Sequence, residues 1–197
     1  MTLSAHSRSQ PDSQQEKAEL RHRLIKARQA IPPHVWRQKS DRICAHLCNW
    51  SGFQRSPGIL AYWSFQNEPD LSPLMDGPRL WGLPRCVGKQ MSWHQWLGPR
   101  TLRQGRFGIW EPLPQCPQIL PEWVDLILIP AVACDVQGVR LGYGGGFYDR
   151  MLSKPEWRQK TTIAIVFEYA RLPSMPRAIW DIQVQGICTE KGLYLQG

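Results

Sequence analysis

A glycine-rich segment that closely follows an apolar run constrains this 197-residue chain more than any other feature. The apolar run covers residues 126–132, and the segment from Gly138 to Arg150 carries glycine at positions 142, 144, 145 and 146. An apolar run of this length between turn-forming residues predicts a buried strand. A strand followed by glycines and a short helix is typical of α/β proteins that bind phosphate, because bare backbone N–H groups converge on the anion. The alternative is a tight turn, since glycine first of all gives conformational freedom.

Charged side chains favour phosphate binding over a simple turn. Arg140 and Arg150 bracket the glycines with positive charge, and Asp149 adds a carboxylate suited to Mg²⁺. The segment is not a Walker A motif, because it lacks the Gly-Lys-Ser/Thr ending, and its match to G-x-G-x-x-G fails at Phe147. The segment therefore predicts a nucleotide-phosphate site of another kind.

Length and composition predict one folded domain. The chain is 42% hydrophobic and 20% charged, and domains typically have about 100–200 residues. Its apolar stretches fall short of the roughly 20 residues of a membrane-spanning helix, and residues 1–15 lack the apolar core of a secretion signal. We therefore expect a cytoplasmic monomer, with a flexible lead-in at residues 1–12 and a single α/β domain at residues 13–197.

The net charge of +8 favours anionic partners. Nucleic acid fits this charge, and so does a small polyanion such as a nucleoside triphosphate or a polyglutamate tail. The arginines are spread along the chain rather than concentrated in a tail, which weakens the case for nucleic acid. The six cysteines form no C-x-x-C pair, so we expect no metal or redox centre from them.

Helix and strand patterns alternate along the chain. A helix is expected from Ser13, with Lys17, Arg21 and Arg28 near one face, and a second helix carries an apolar stripe from residue 36 to residue 50. Short helices are predicted at 71–75 and 147–152, ordered loop at 98–122, and strands at 58–63, 80–84, 91–96, 125–132, 161–167 and 186–190. This order indicates a three-layer α/β/α fold with a mostly parallel, Rossmann-like sheet. Ligands of such sheets bind at the carboxyl ends of strands, where the loops at 64–70 and 138–149 lie.

The run from Arg140 to Arg150 closely resembles the signature of the 5-formyltetrahydrofolate cyclo-ligases, also called 5,10-methenyltetrahydrofolate synthetases. Weaker motifs of that family follow in the same order: Lys-x-x-Leu-Arg at 17–21, Glu-x-Asp at 68–70, Gly-Ile-x-Glu-Pro at 108–112, and a strand and turn at 125–138. The resemblance extends from about Lys17 to Glu190 and so covers most of the chain.

The resemblance implies an ATP-dependent closure of 5-formyltetrahydrofolate, with or without a polyglutamate tail, to 5,10-methenyltetrahydrofolate. The formyl oxygen would attack the γ-phosphate of MgATP, the N10 amine would close the ring, and phosphate would leave. Phosphorylation turns a poor leaving group into a good one. Such a transfer depends mostly on positioning and charge neutralisation, so it needs no protein nucleophile.

The resemblance also implies which residues form the site. Arg140 and Tyr148 would act in catalysis, and Glu68 would bind the pterin while Phe107 and Tyr148 flank the folate rings. The residues expected to bind ATP are Lys17, Arg21, Arg140, Leu141, Gly142, Tyr143, Gly144, Gly145, Gly146, Phe147 and Tyr148.

The metal residue is expected to be Asp149. The family carries two acidic residues four apart near the last strand, and this chain has Asp181 at the first position and Gln185 at the second. Because glutamine is a neutral and poorer ligand for a hard cation, the resemblance leaves Mg²⁺ to Asp149, with Asp181 as a helper.

Other interpretations of the same residues remain open. By pattern alone, Lys17 and Arg21 form a solvated basic face, Glu68 lies in a surface loop, and Asp149 caps a helix. The fold without catalysis would be a folate- or nucleotide-binding relative. Six tryptophans could form a stacking platform for single-stranded nucleic acid, although their strand patterns favour packing: Trp63, Trp81, Trp93, Trp96, Trp110 and Trp123. We expect neither nucleic acid nor a membrane as a partner.

Overall fold

A seven-stranded, mostly parallel sheet runs through the computed structural model, which describes residues 10–178 and 180–196. The strands are β1 (Gly58–Leu60), β2 (Leu80–Val87), β3 (Gln90–Gln95), β4 (Leu102–Gln104), β5 (Trp110–Pro112), β6 (Leu126–Pro130), β7 (Ala133–Asp135), β8 (Arg140–Leu141), β9 (Thr161–Ile165), β10 (Arg171–Leu172), β11 (Gly186–Thr189) and β12 (Gly192–Leu195). The α-helices are α1 (Gln10–Gln29), α2 (Pro33–Cys48), α3 (Ser51–Gln54), α4 (Phe147–Leu152) and α5 (Pro155–Arg158). Short 3₁₀ turns lie at Ser72–Leu74, Pro99–Thr101, Pro121–Trp123 and Glu168–Ala170.

The strand order of the central sheet is β12-β11-β9-β6-β1-β2-β3. The pairs from β11 through β9, β6 and β1 to β2 are parallel, and the two edge strands β12 and β3 are antiparallel. β1 pairs with β2 on one side and with β6 on the other, so the order of strands reverses at β1 and β6. A crevice opens at the carboxyl ends of strands at such a switch point.

The central strands are buried on both faces because their side chains alternate between two cores. In β6, Ile127 and Ile129 point into one core, and Leu126 and Leu128 point into the other. The first core also contains side chains of α1, α4 and α5, and the second contains side chains of α2 and α3. This arrangement confirms the predicted three-layer α/β/α fold with a mostly parallel sheet.

The two long helices differ from each other in how they pack. α2 buries Ser40, Ile43, Cys44 and Leu47, which confirms the predicted stripe. α1 begins at Gln10, within the lead-in proposed for residues 1–12, and residues 1–9 lie outside the described residues. No helix in the described ranges is long and apolar enough to span a membrane.

The chain between β6 and the glycines forms a hairpin that the sequence did not predict. β7 and β8 pair antiparallel, and β10 extends them into a separate small sheet. The buried Asp135 carboxylate accepts hydrogen bonds from the backbone N–H groups of Gln137 and Val139, each at 3.0 Å, and of Met175 at 3.1 Å. At the tip, Gly138 has φ 82° and its carbonyl oxygen accepts a bond from the N–H of Val184 at 3.0 Å. This hairpin sets where the glycines begin.

Several predicted boundaries are also wrong. The first predicted strand ends at Leu60 rather than at residue 63, and β6 ends at Pro130. The predicted loop at 98–122 contains the β4–β5 hairpin. The edge strand β12 was not predicted, because its four residues alternate too briefly to give a period.

We predict that Gly138→Ala destabilises the protein more than Gly77→Ala. Both glycines have positive φ, which costs an L-residue about 1–2 kcal/mol. A Cβ at Gly138 would lie 2.5 Å from the carbonyl oxygen of Val184, whereas one at Gly77 meets nothing within 4 Å. The clash should add about 1–3 kcal/mol to the loss in free energy of unfolding, as measured by urea denaturation. Equal losses for the two variants would contradict this role of the hairpin tip.

Candidate functional site

Two loops meet at the carboxyl ends of β1 and β6. The Glu68 loop (residues 64–70) follows β1, and the glycine loop (residues 142–146) follows the β7–β8 hairpin. The N–H of Val132, just after β6, donates to the carbonyl oxygen of Leu141, so the glycine loop begins beside the end of β6. The switch point of the sheet therefore brings together the two loops that the sequence predicted to hold ligand.

Helix α1 contacts the glycine loop through Arg21. Its Nε donates to the carbonyl oxygen of Gly142 at 2.7 Å, and burial lowers the pKa of Arg21. Gly144 lies beside that guanidinium with φ 98°, and Gly146 has φ 63° as the residue before α4. The loop requires glycine at these two positions, because other residues rarely adopt such φ angles.

Arg150 holds the other side of the glycine loop. Its Nη1 donates to the carbonyl oxygen of Gly145 at 2.9 Å, and its Nη2 donates to that of Lys89 at 3.1 Å. The guanidinium also lies 4.9 Å from the ring centre of Phe147. Arg150 thus connects the glycine loop to the β2–β3 turn. The sequence did not predict this connection.

Glu68 is buried at the junction of the two loops, with 3% of its surface exposed. Its Oε1 accepts a hydrogen bond from the hydroxyl of Tyr143 at 2.9 Å, and its Oε2 accepts one from the N–H of Phe65 at 3.1 Å. Burial raises the pKa of Glu68 to about 7, against the opposing effects of Arg28 and of these two hydrogen bonds. The interpretation as an exposed loop residue is therefore wrong, because the side chain is buried.

Arg28 is a site residue to which the sequence assigned no role. It is 3% exposed and donates to the hydroxyl of Tyr143 and to the carbonyl oxygen of Gln66. The available signal was its spacing of seven from Arg21, which puts both side chains on one face of α1.

Arg140, Tyr148 and Asp149 form a second group behind the glycine loop. Arg140 is 7% exposed, and its Nη2 pairs with Oδ1 of Asp149 at 2.6 Å. Among the described residues, Nε of Arg140 and the hydroxyl of Tyr148 are buried without a hydrogen-bond partner. Burial raises the pKa of Tyr148, so its hydroxyl keeps its proton. Buried polar groups without partners are uncommon, and a water, an ion or a ligand atom can satisfy them.

Lys17 and Asp181 form an ion pair one turn of α1 away from Arg21. Nζ of Lys17 lies 2.6 Å from Oδ2 of Asp181, which also accepts from the N–H of Ala178 at 2.8 Å. Gln185 lies elsewhere: its Oε1 accepts from the N–H and the hydroxyl of Thr162, at 2.6 and 2.7 Å, near the amino end of β9. The structure therefore does not bring Gln185 to the glycine loop.

The apolar residues near the site differ in how accessible they are to a ligand. Phe107 is 50% exposed and meets Phe147 edge-on at 6.0 Å, and Phe65 packs against Tyr143 at 6.1 Å. Leu141, expected to bind ATP, is buried in the first core. Its side chain is therefore not available to a ligand, and only its backbone borders the glycine loop.

The side chains near Asp149 could bind a metal ion only together with ligands from outside the protein. Among the described residues, no three His, Cys, Asp or Glu side chains converge as a metal site, and the six cysteines are free. Asp149 is a single carboxylate that already pairs with Arg140. Mg²⁺ is commonly bound by one or two carboxylates together with substrate phosphates and water. These residues fit an ion carried in by a nucleotide, rather than one held mainly by the protein.

The tryptophans do not form a stacking platform. Trp93 is buried in the first core and Trp81 in the second, on opposite faces of the sheet. Trp63 and Trp96 pack against each other at 5.1 Å, and Trp123 lies beside Gly58 at the amino end of β1. Because no surface displays them together, this distribution argues against the nucleic-acid interpretation.

Comparisons with known proteins agree with the family resemblance. The model of the 5-formyltetrahydrofolate cyclo-ligase family matches residues 13–190. The 5-formyltetrahydrofolate cyclo-ligase of Mycolicibacterium smegmatis is 30% identical over 193 residues, covering 91% of this chain and 96% of the relative. That of Haemophilus influenzae is 28% identical over 180 residues, covering 85% and 94%. The NMR structure of 5,10-methenyltetrahydrofolate synthetase from Aquifex aeolicus matches with a TM-score of 0.80 at 31% identity, covering 91% of this chain and 92% of that one.

We predict that Glu68 makes stability depend on pH. The pKa rises from its ordinary value of 4.5 to about 7 on folding, so the contribution of the protonated carboxyl is full below pH 4.5 and is lost as the pH rises through 7. At about 1.4 kcal/mol per pKa unit, the wild type should lose about 2–3 kcal/mol relative to Glu68→Gln between pH 5 and pH 8. Urea unfolding measures this, with the exposed Glu122→Gln as the control. A difference between wild type and Glu68→Gln that does not change with pH would contradict the burial of this carboxylate.

We also predict that Arg150→Ala loosens the glycine loop. Loss of the bonds to Gly145 and Lys89 should raise amide hydrogen exchange at residues 142–146 and at the β2–β3 turn by about tenfold. Arg158→Ala, in the exposed part of α5, is the matched control and should leave these amides unchanged. Unaltered exchange in Arg150→Ala would show that the two contacts do not restrain the loop.

Proposed function

The chain belongs to the 5-formyltetrahydrofolate cyclo-ligase family, and we propose that it catalyses the ATP-dependent cyclisation of 5-formyltetrahydrofolate to 5,10-methenyltetrahydrofolate. ADP and phosphate are the other products. The site lies between the Glu68 loop and the glycine loop, where folate and nucleotide meet.

The observation that carries this proposal is the pair of unsatisfied donors behind the glycine loop. Nε of Arg140 and the hydroxyl of Tyr148 are buried, and neither has a hydrogen-bond partner among the described residues. The guanidinium lies 5.5 Å from the ring centre of Tyr148, so the two residues are direct neighbours. Donors held in place before the reaction stabilise the negative charge that develops on transferring oxygens.

The proposed reaction has two steps. The formyl oxygen attacks the γ-phosphorus, a new O–P bond forms, and ADP leaves. The N10 amine then attacks the formyl carbon and loses its proton, and the carbon–oxygen bond breaks to release phosphate and the methenyl product. Arg140 neutralises charge on the transferring phosphoryl group, and Tyr148 orients the formyl oxygen by donating a hydrogen bond to it.

The remaining side chains bind the two substrates. Lys17 and Arg21 lie one turn apart on α1, and they bind phosphate together with the backbone of the glycine loop. Lys17 exchanges Asp181 for phosphate when the nucleotide binds. Glu68 accepts hydrogen bonds from the amide-like edge of the pterin, and Phe107 packs against the folate rings.

Mg²⁺ enters with ATP in this proposal. Asp149 would hold the ion together with phosphate oxygens and water, and Asp181 would assist. When bound, the ion would supply positive charge that helps to neutralise the phosphates during transfer. We further propose that the protein acts as a monomer in the cytoplasm and that it accepts folates with or without a polyglutamate tail.

The proposal is tested by mixing the purified protein with 5-formyltetrahydrofolate and MgATP. A rise in the near-ultraviolet absorbance of the methenyl product, dependent on both substrates, is the expected result. A folded protein that binds both substrates without producing the methenyl compound would instead be a non-catalytic relative, and the proposed activity would be wrong.

We predict that Asp149→Asn lowers activity by about 100-fold at limiting Mg²⁺. Asparagine keeps an oxygen for Arg140 but removes the charge that binds the cation, so added Mg²⁺ should restore part of the loss. The exposed Asp76→Asn is the matched control and should behave as the wild type. A loss that no concentration of Mg²⁺ relieves would remove Asp149 from metal binding.

A further inference from the structure

Arg28 is a buried cation that contacts both loops of the site. Its Nε donates to the carbonyl oxygen of Gln66 at 2.9 Å, its Nη2 donates to the hydroxyl of Tyr143, and its Nη1 lies 4.0 Å from Oε1 of Glu68. Arginine carries five N–H donors in a planar fork, so one side chain can hold several acceptors in fixed geometry. The last turn of α1 therefore anchors the Glu68 loop and the glycine loop at a single point.

The Glu68 loop needs such an anchor, because its backbone is strained. Gln66 and Asn67 have φ angles of 49° and 57°, successive left-handed positions that residues other than glycine adopt at a cost. Arg28 holds the carbonyl oxygen of the first, and Asn67 donates to the carbonyl oxygen of Gln29 at 3.4 Å. The end of α1 thus maintains the turn that directs the next residue, Glu68, inward.

The hydrogen bonds at Tyr143 have a defined direction. Arg28 can only donate, so the hydroxyl of Tyr143 accepts from Arg28 and gives its own proton to Oε1 of Glu68. The N–H of Phe65 donates to Oε2. Both oxygens of Glu68 therefore serve as acceptors, which is the arrangement of an ionised carboxylate.

We propose that Arg28 is a positioning residue for folate: it holds the Glu68 loop and the glycine loop together and keeps Glu68 as an acceptor for the pterin. The inference rests on the proposed function, and it adds a residue that need not touch either substrate. Arg28 acts on the folate side through Glu68, so its removal should weaken folate binding much more than ATP binding.

The charges around Glu68 explain why the effect should depend on pH. Arg28 is the cation that faces this carboxylate, and the phenols of Tyr62, Tyr143 and Tyr148 face it as well. Burial raises the pKa of all three phenols, so they stay neutral. The pKa of Glu68 is about 7 with Arg28 present, and loss of that cation raises it further.

The test compares Arg28→Gln, which removes the charge, with Arg28→Lys, which keeps the charge but not the fork. Steady-state ADP release is measured between pH 6 and pH 9, with each substrate varied in turn, and circular dichroism checks the fold. In Arg28→Gln, KM for 5-formyltetrahydrofolate should rise about tenfold at pH 7 while KM for ATP changes less than about twofold. The fall in kcat/KM for folate on the acidic side of the pH profile, its acid limb, should shift to higher pH by about one unit or more.

Arg28→Lys should keep the acid limb at the pH of the wild type and raise KM for folate by a smaller factor. Arg23→Gln, on the exposed side of the same helix, is the matched control and should leave all parameters unchanged. An acid limb that does not move in Arg28→Gln, or an equal rise in both KM values, would overturn the inference. If Arg28→Gln does not fold, Arg28→Lys is the deciding variant. A rise in KM for folate alone, with the acid limb of the pH profile unchanged, supports the inference. An equal rise in KM for folate and for ATP overturns it.

Failure of the proposed function gives a different result. A folded wild-type protein that releases no ADP with 5-formyltetrahydrofolate would overturn the activity, and the role of Arg28 with it. An active wild type and an unaffected Arg28→Gln would overturn the role of Arg28 alone.

Discussion

The hydrogen bonds that two arginines of α1 make to the loops above the sheet hold the candidate site together. Arg21 binds the carbonyl oxygen of Gly142, and Arg28 binds the hydroxyl of Tyr143 and the carbonyl oxygen of Gln66. Seven residues separate them, about two helical turns, so one face of one helix serves both loops. α1 is polar along most of its length, and Arg21 and Arg28 stabilise the two loops in addition to contributing positive charge. The proposed phosphate binding and the geometry of the two loops therefore depend on the same helix.

The sheet determines which loops α1 can join. β1 and β6 are neighbours at the switch point, so the Glu68 loop and the glycine loop rise side by side. The β7–β8 hairpin, held by Asp135 and Gly138, delivers the glycine loop back to that edge. Burial then raises the pKa of Glu68 to about 7 and leaves Arg140 and Tyr148 with unsatisfied donors. These groups carry a cost in stability that a ligand would relieve, as is common at functional sites.

The sequence predicted local features such as helices and strands, and the structure added the contacts between residues that are distant in the chain. The apolar run before the glycines, the stripe of α2 and the short α4 follow from period and composition, and all three are present. The contacts of Arg150 with Lys89, of Gln185 with Thr162 and of Lys17 with Asp181 could not be predicted, because each joins residues at least 23 positions apart. Arg150 donates hydrogen bonds to backbone carbonyl oxygens instead of remaining a free surface charge. Arg28 had the right spacing, but no local pattern shows that a cation will be buried.

The central claim is that folate and nucleotide meet in one site, where the formyl oxygen attacks the γ-phosphate directly. Oxygen labelling tests it: 5-formyltetrahydrofolate carrying ¹⁸O in the formyl group is converted with unlabelled ATP, and the inorganic phosphate is analysed by mass spectrometry. The proposed reaction predicts one ¹⁸O atom in each phosphate released in proportion to the methenyl product. Unlabelled phosphate, with the label recovered in water, would show that the oxygen leaves without passing to phosphorus, and would contradict the account.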